Sequence, residues 1–121
     1  MSIAAGSFDG VWTPVAAELG GEPAPAMVLE QLELELTGGS YVVRFGGVAA
    51  DLGRFEVDPA GLTLRGTTGP NAGRTIPCLV RLESNRLVVC YGMDGVRPTR
   101  FATGPGDPAY LATYVRRARS A

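Results

Sequence analysis

Chain breakers fall so often in this sequence that no long helix fits between them. Glycine occurs 17 times and proline 9 times in 121 residues. The first loosens the backbone that a helix must hold, and the second blocks it. A helical bundle is thereby excluded. Short apolar runs lie between the breakers at close, fairly even intervals, which is the pattern of an all-β chain. Hydrophobic residues make up 45% of the sequence, enough for a real core, and a chain this short seldom supports two. The expectation is one domain spanning residues 1–121.

The clearest local signal is a hairpin. Leu32, Leu34 and Leu36 alternate with Glu33 and Glu35, so one strand face is dry and the other wet. Gly38-Gly39 then makes a two-residue turn into Ser40–Gly46. A tight turn sets Leu36 opposite Tyr41, Leu34 opposite Val43 and Leu32 opposite Phe45, all on one face. Continuing that register puts Val48, Ala50 and Leu52 inside, yet Phe55 and Val57 lie on the other parity, which predicts a bulge near Gly53. Ala26–Glu30 reads as a short helix. Further strands are expected at Leu62–Thr67, Arg74–Glu83, Arg86–Gly92 and Val96–Ala102, while Ala109–Arg117 suits a strand or a helix equally. About eight or nine meandering strands favour a single antiparallel up-and-down barrel, since closure removes exposed edges. A two-sheet sandwich is the alternative.

Composition also narrows function. The formal charge is −1, and every cation is Arg. A near-neutral surface argues against nucleic acid as partner. Histidine is absent, which removes the commonest metal ligand and the usual base of a nucleophilic triad. Neither a cofactor nor a metal is expected. Met1–Gly10 carries no cation and no continuous apolar run, unlike a secretory signal, and no stretch is long enough for a membrane-spanning helix. A cytoplasmic location is expected. Two cysteines make no disulfide framework. An even Ser84-Asn85 hairpin turns Cys78 inward with Val80 and Leu82, and Cys90 outward.

Several landmarks then run in order along nearly the whole chain. They are Gly10-Val11-Trp12, Gly53-Arg54-Phe55 with Asp58, Thr68 to Thr75, Leu87-Val88-Val89-Cys90-Tyr91, and Arg97-Pro98-Thr99-Arg100-Phe101. The set resembles the small bacterial lipocalin-like domain family that is expanded in planctomycetes. That resemblance implies a calycin-type barrel in which Trp12 plugs one end and stacks on an arginine, here Arg97, Arg116 or Arg117. It implies little chemistry.

The candidate sites each have an ordinary reading beside the functional one. Gly69–Gly73 followed by Arg74 superficially resembles a phosphate loop, but its spacing, its Arg and the strand that follows fit a plain turn. Tyr41 and Tyr91 fall on inward parities, as core tyrosines or as hydroxyls that orient a ligand. Arg97 shares parity with Phe101 and would need an anion, either a carboxylate such as Glu18 or a ligand acid. Glu18 shares parity with Trp12, and Asp51 points inward if the bulge lies just before it. The leading reading is a barrel that binds a hydrophobic small molecule, lined by Trp12, Tyr41, Phe55, Val80, Val89 and Tyr91 with Arg97 as polar anchor. The alternatives are a cofactor-free cyclase or isomerase and a packed interaction module. The expected partner is that small molecule, with no nucleic acid and no membrane; a homodimer is left open.

Overall fold

A computed structural model describes residues 5–117. A 3-10 turn, Ala5–Phe8, leads into β1 (Gly10–Leu19), the two-residue strand β2 (Glu22–Pro23) and the single short helix α1 (Ala26–Gln31). Then come β3 (Leu32–Thr37), β4 (Ser40–Phe45), β5 (Val48–Asp58), β6 (Gly61–Thr68), β7 (Thr75–Glu83), β8 (Arg86–Gly92) and β9 (Ala109–Arg116). Each strand from β3 to β9 pairs with its neighbour in sequence, always antiparallel, and β1 pairs with both β3 and β9. The result is a closed eight-stranded barrel, with β2 appended to β1. Among the described residues no helix is long and apolar enough to cross a membrane.

The Gly38-Gly39 hairpin has the register that its alternation dictates, with Leu36 opposite Tyr41, Leu34 opposite Val43 and Leu32 opposite Phe45. The β7–β8 hairpin likewise sets Cys78 opposite Tyr91 and Leu79 opposite Cys90. Both cysteines are free and buried. Cys78 belongs to the core. Cys90 faces outward, yet it is as buried as Cys78, because the long β8–β9 connection lies over it.

That connection corrects one expectation. Val96–Ala102 is no strand; it belongs to a loop that crosses the outer surface of the barrel. Its cover explains why β8 is apolar at consecutive positions. Leu87, Val89 and Tyr91 face the core, while Val88 and Cys90 are buried under the loop. Phe101 in the loop lies beneath the Arg81 guanidinium, 5.0 Å from ring to Cζ. The ambiguous last element is a strand, with Ala112 and Tyr114 inward.

Three bulges bend the strands. Val15 is the extra residue in β1, between the pairs Pro14–Tyr114 and Ala16–Thr113. It returns Ala17 to the core and sends Glu18 outward, against the parity that joined Glu18 to Trp12. Ala50 is the extra residue of β5 opposite β4, and Thr67 that of β6 opposite β5. The reversal of parity in β5 therefore falls before Asp51 rather than at Gly53. Val48 and Ala50 are exposed and Leu52 turns outward, while Asp51 and Phe55 are buried. A bulge resets side-chain parity wherever it sits, so the later half of the strand cannot show where the slip occurred.

One end of the barrel is closed by side chains. Trp12 and Phe8 are fully buried there, and the Trp12 indole N–H donates to the Phe8 carbonyl at 2.9 Å. Arg116 covers the ring from outside, its Cζ 4.2 Å from the ring centroid. Among Arg97, Arg116 and Arg117, Arg116 makes the stack. Its guanidinium also donates to the carbonyls of Asp9 and Ser7, which ties the 3-10 turn to β9. A stack of this kind contributes roughly 0.5–2 kcal/mol.

Removing the plug should therefore cost far more than a surface change. Trp12→Ala is expected to lose about 3–5 kcal/mol of a total of about 5–15 kcal/mol, lowering Tm by roughly 10–20 °C or yielding insoluble protein. A variant that melts within a few degrees of the parent while losing ligand binding would assign Trp12 to the ligand instead.

Candidate functional site

The plugged end is packed; the opposite half of the barrel is not. A cavity of about 370 Å³ begins at Pro14, Leu34, Leu64 and Ile76, and it reaches the rim at Phe45, Ala50 and Pro70. The first four are buried and the last three exposed, so the lining runs from core to solvent. Ligand sites start at roughly 300 Å³, which this volume exceeds. The lining is apolar apart from a few groups.

All four tyrosines of the chain, Tyr41, Tyr91, Tyr110 and Tyr114, are among those groups. Tyr91 and Tyr114 join their hydroxyls at 2.7 Å, and the Tyr91 and Tyr110 rings meet at 5.5 Å, tilted by 34°. When one hydroxyl of the pair donates to the other, the acceptor keeps its own proton to offer elsewhere. Burial raises the pKa of each phenol above the ordinary value of 10. Tyr41 is pushed up to about 12, by burial first and then by the charge of Asp51 and the hydrogen bond to it. These hydroxyls are neutral donors at any physiological pH.

Apart from Glu33 of β3, the remaining polar lining comes from β5 and the loop after β6. The bulge at Ala50 aims Asp51 inward, where it is 8% exposed. The Tyr41 hydroxyl donates to Asp51 Oδ2 at 3.4 Å, and the Asn71 side-chain amide donates to the same oxygen at 2.8 Å. Arg74 in turn donates to Asn71 Oδ1 at 2.9 Å, fixing which end of that amide faces Asp51. A second Arg74 nitrogen donates to the Met93 carbonyl. No donor among the described residues reaches Asp51 Oδ1, which is fully buried.

Two glycines allow this arrangement. A Cβ on Gly53 would stand 2.4 Å from the Tyr41 ring and 2.2 Å from the Arg65 carbonyl oxygen. Gly69, at φ +99°, brings the loop so close to β5 that a Cβ would lie 2.4 Å from the Ala50 carbonyl oxygen. The Thr68–Gly73 segment is thus a turn whose work is to seat Asn71 over Asp51.

Among the residues expected from sequence, the structure brings Tyr41 and Tyr91 to this cavity. Trp12, Phe55 and Val89 are buried core residues outside its lining, and Val80 packs against that core. Arg97 lies elsewhere. Leu62 and Leu64 face the core, so Thr63 between them faces out. Arg97 reaches that outer face, donating to Thr63 Oγ1 at 3.1 Å, Asp58 Oδ2 at 3.2 Å and the Cys78 carbonyl. Its carboxylate is Asp58 rather than Glu18, and Glu18 instead accepts from the backbone N–H and hydroxyl of Thr103. Asn71, Arg74, Tyr110 and Tyr114 were missed. The tyrosines were hidden by the ambiguity of β9, and the loop residues give no periodic signal at all.

Burial pushes the Cys78 thiol up to about 12 and raises that of Cys90, so neither is a ready thiolate. Among the described residues no three His, Cys, Asp or Glu side chains gather as a metal site. No protein-family model matches the chain, and neither a curated protein nor a solved structure matches it significantly.

The tyrosines offer a direct check. Their native pKa values lie above the unfolded value of about 10, so the fold favours the protonated phenols. That stability is complete below about pH 10 and is lost as pH rises through the native values. Tyrosinate absorbance at about pH 10.5 should show fewer than one ionised phenol per native chain and a majority of the four in denaturant. Two or more phenols titrating normally in native protein would contradict this packing.

Proposed function

We propose that the protein binds a small hydrophobic molecule in the lumen of a lipocalin-like barrel. The single observation that carries this reading is the 370 Å³ cavity, apolar-walled and continuous from buried tyrosines to an exposed rim. An interaction module has no need of such a volume, because its barrel can be filled by side chains, as the Trp12 half of this one is. The ordered landmarks from Gly10-Val11-Trp12 to Arg97–Phe101 support kinship with the small bacterial lipocalin-like domains. The proposed lining is Tyr41, Tyr91, Tyr110 and Tyr114, with Leu34, Leu64 and Ile76 as the apolar wall. An apolar ligand gains about 25 cal/mol for each Å² it removes from water. The phenols orient its polar end.

The neutral fluorophore N-phenyl-1-naphthylamine tests the reading. It should bind saturably at one site per chain, with Kd on the order of 1–100 µM. Val43 is half-buried on the cavity wall, so Val43→Phe fills part of the lumen. That variant should bind the probe at least about tenfold more weakly without losing Tm, since the ring fills existing space rather than a packed core. Absence of saturable binding, or equal binding by both proteins, would refute the proposal.

A further inference from the structure

We infer that the ligand carries a cationic nitrogen, an organic ammonium on an apolar body, and that Asp51 is the residue that selects it. The inference rests on the lumen reading above and gives that ligand its chemical class. It starts from a carboxylate that is only half used. Asp51 lines the cavity and is more than nine-tenths buried. Both donors that reach it, from Tyr41 and Asn71, fall on Oδ2. Buried Oδ1 has none.

Charge makes the case stronger than an unfilled hydrogen bond would. A carboxylate away from water needs a counter-charge or several donors. Among the described residues no arginine forms an ion pair with Asp51. The cation closest to it in the network, Arg74, is turned away, one nitrogen on Asn71 Oδ1 and another on the Met93 carbonyl. The other acidic residue at the cavity, Glu33, is already matched by Arg44 at 3.0 Å and Arg117 at 2.7 Å. One uncompensated negative charge therefore remains in the lumen, and an acid such as a fatty carboxylate would meet repulsion there.

The walls point to the same class. Four phenol rings line the same cavity, and the faces of such rings attract an ammonium group. A metal ion fits poorly. It needs several hard donors, whereas the one carboxylate here without a cation, Asp51, stands amid apolar and aromatic surface. An ammonium has what the site lacks, a positive charge to set beside the Asp51 carboxylate, on a hydrocarbon body that fills the remainder.

Three probes of nearly one shape decide the matter: 1-naphthylmethylammonium, 1-naphthylmethanol and 1-naphthoate, each titrated calorimetrically into the full chain at neutral pH. The ammonium should bind at least about tenfold more tightly than the alcohol, and the naphthoate most weakly. In Asp51→Asn the ratio between ammonium and alcohol should fall to near one. An alcohol that binds as well as the ammonium, or a preference that survives in Asp51→Asn, would overturn the inference and leave lumen binding standing. If none of the three binds, the lumen reading itself fails. The ranking on the unaltered chain decides even where the variant does not fold.

Discussion

The structure depends on how β1 closes the barrel. Its first residues pair with β3 and its remainder with β9, and Trp12 belongs to both ladders. At that position the indole fills one end, donates to the Phe8 carbonyl and lies under Arg116. Closure and plugging are thus one event. Because the plug occupies one end fully, the unfilled volume of an eight-stranded lumen collects at the other. The cavity is a consequence of where the largest side chain sits.

The irregularities of the strands then decide what faces that volume. An unbroken β5 would present Val48, Ala50 and Leu52 to the lumen and leave Asp51 in water. The extra residue at Ala50 reverses this, and the Gly69 approach lets Asn71 reach the carboxylate from above. On the outer surface, Arg97 and Thr103 hold the β8–β9 loop against the barrel through Asp58, Thr63 and Glu18. Two polar groups of the barrel thus differ in kind. One pins loops to the outside, through the Arg97–Asp58 ion pair and the Thr103 donors on Glu18. The other is the Asp51 group, where a charge is left over.

What was legible in the sequence follows the same division. Two-residue turns transmit register with no tertiary information, so the pairings of Tyr41 with Leu36 and of Cys78 with Tyr91 could be read directly. The inward placement of Tyr41 and Tyr91 came with them. A bulge is different, because Phe55 and Val57 report that parity has changed but not where, and the position of that change settles Asp51. The position of Arg97 escapes the sequence for a related reason. Its parity with Phe101 has meaning only in a strand, and residues 96–102 are held instead by contacts distant in sequence. Asn71 and Arg74 act through a loop whose shape depends on β5 passing beneath it. No local pattern encodes that proximity.

The lumen holds one carboxylate, Asp51, with which no cation among the described residues forms an ion pair. A protein tuned for stability alone would avoid this, since an unmatched buried charge weakens the fold. The most direct test is the stability of Asp51→Asn without ligand, by denaturant titration at neutral pH. The amide retains an oxygen for Asn71 and Tyr41 while the charge disappears. Asp51→Asn should be at least as stable as the parent, because losing the unmatched charge offsets the roughly 1–3 kcal/mol that its unpaired amide N–H groups cost. A loss of more than about 3 kcal/mol, beyond what an unpaired buried amide costs, would show that the charge is already compensated within the fold.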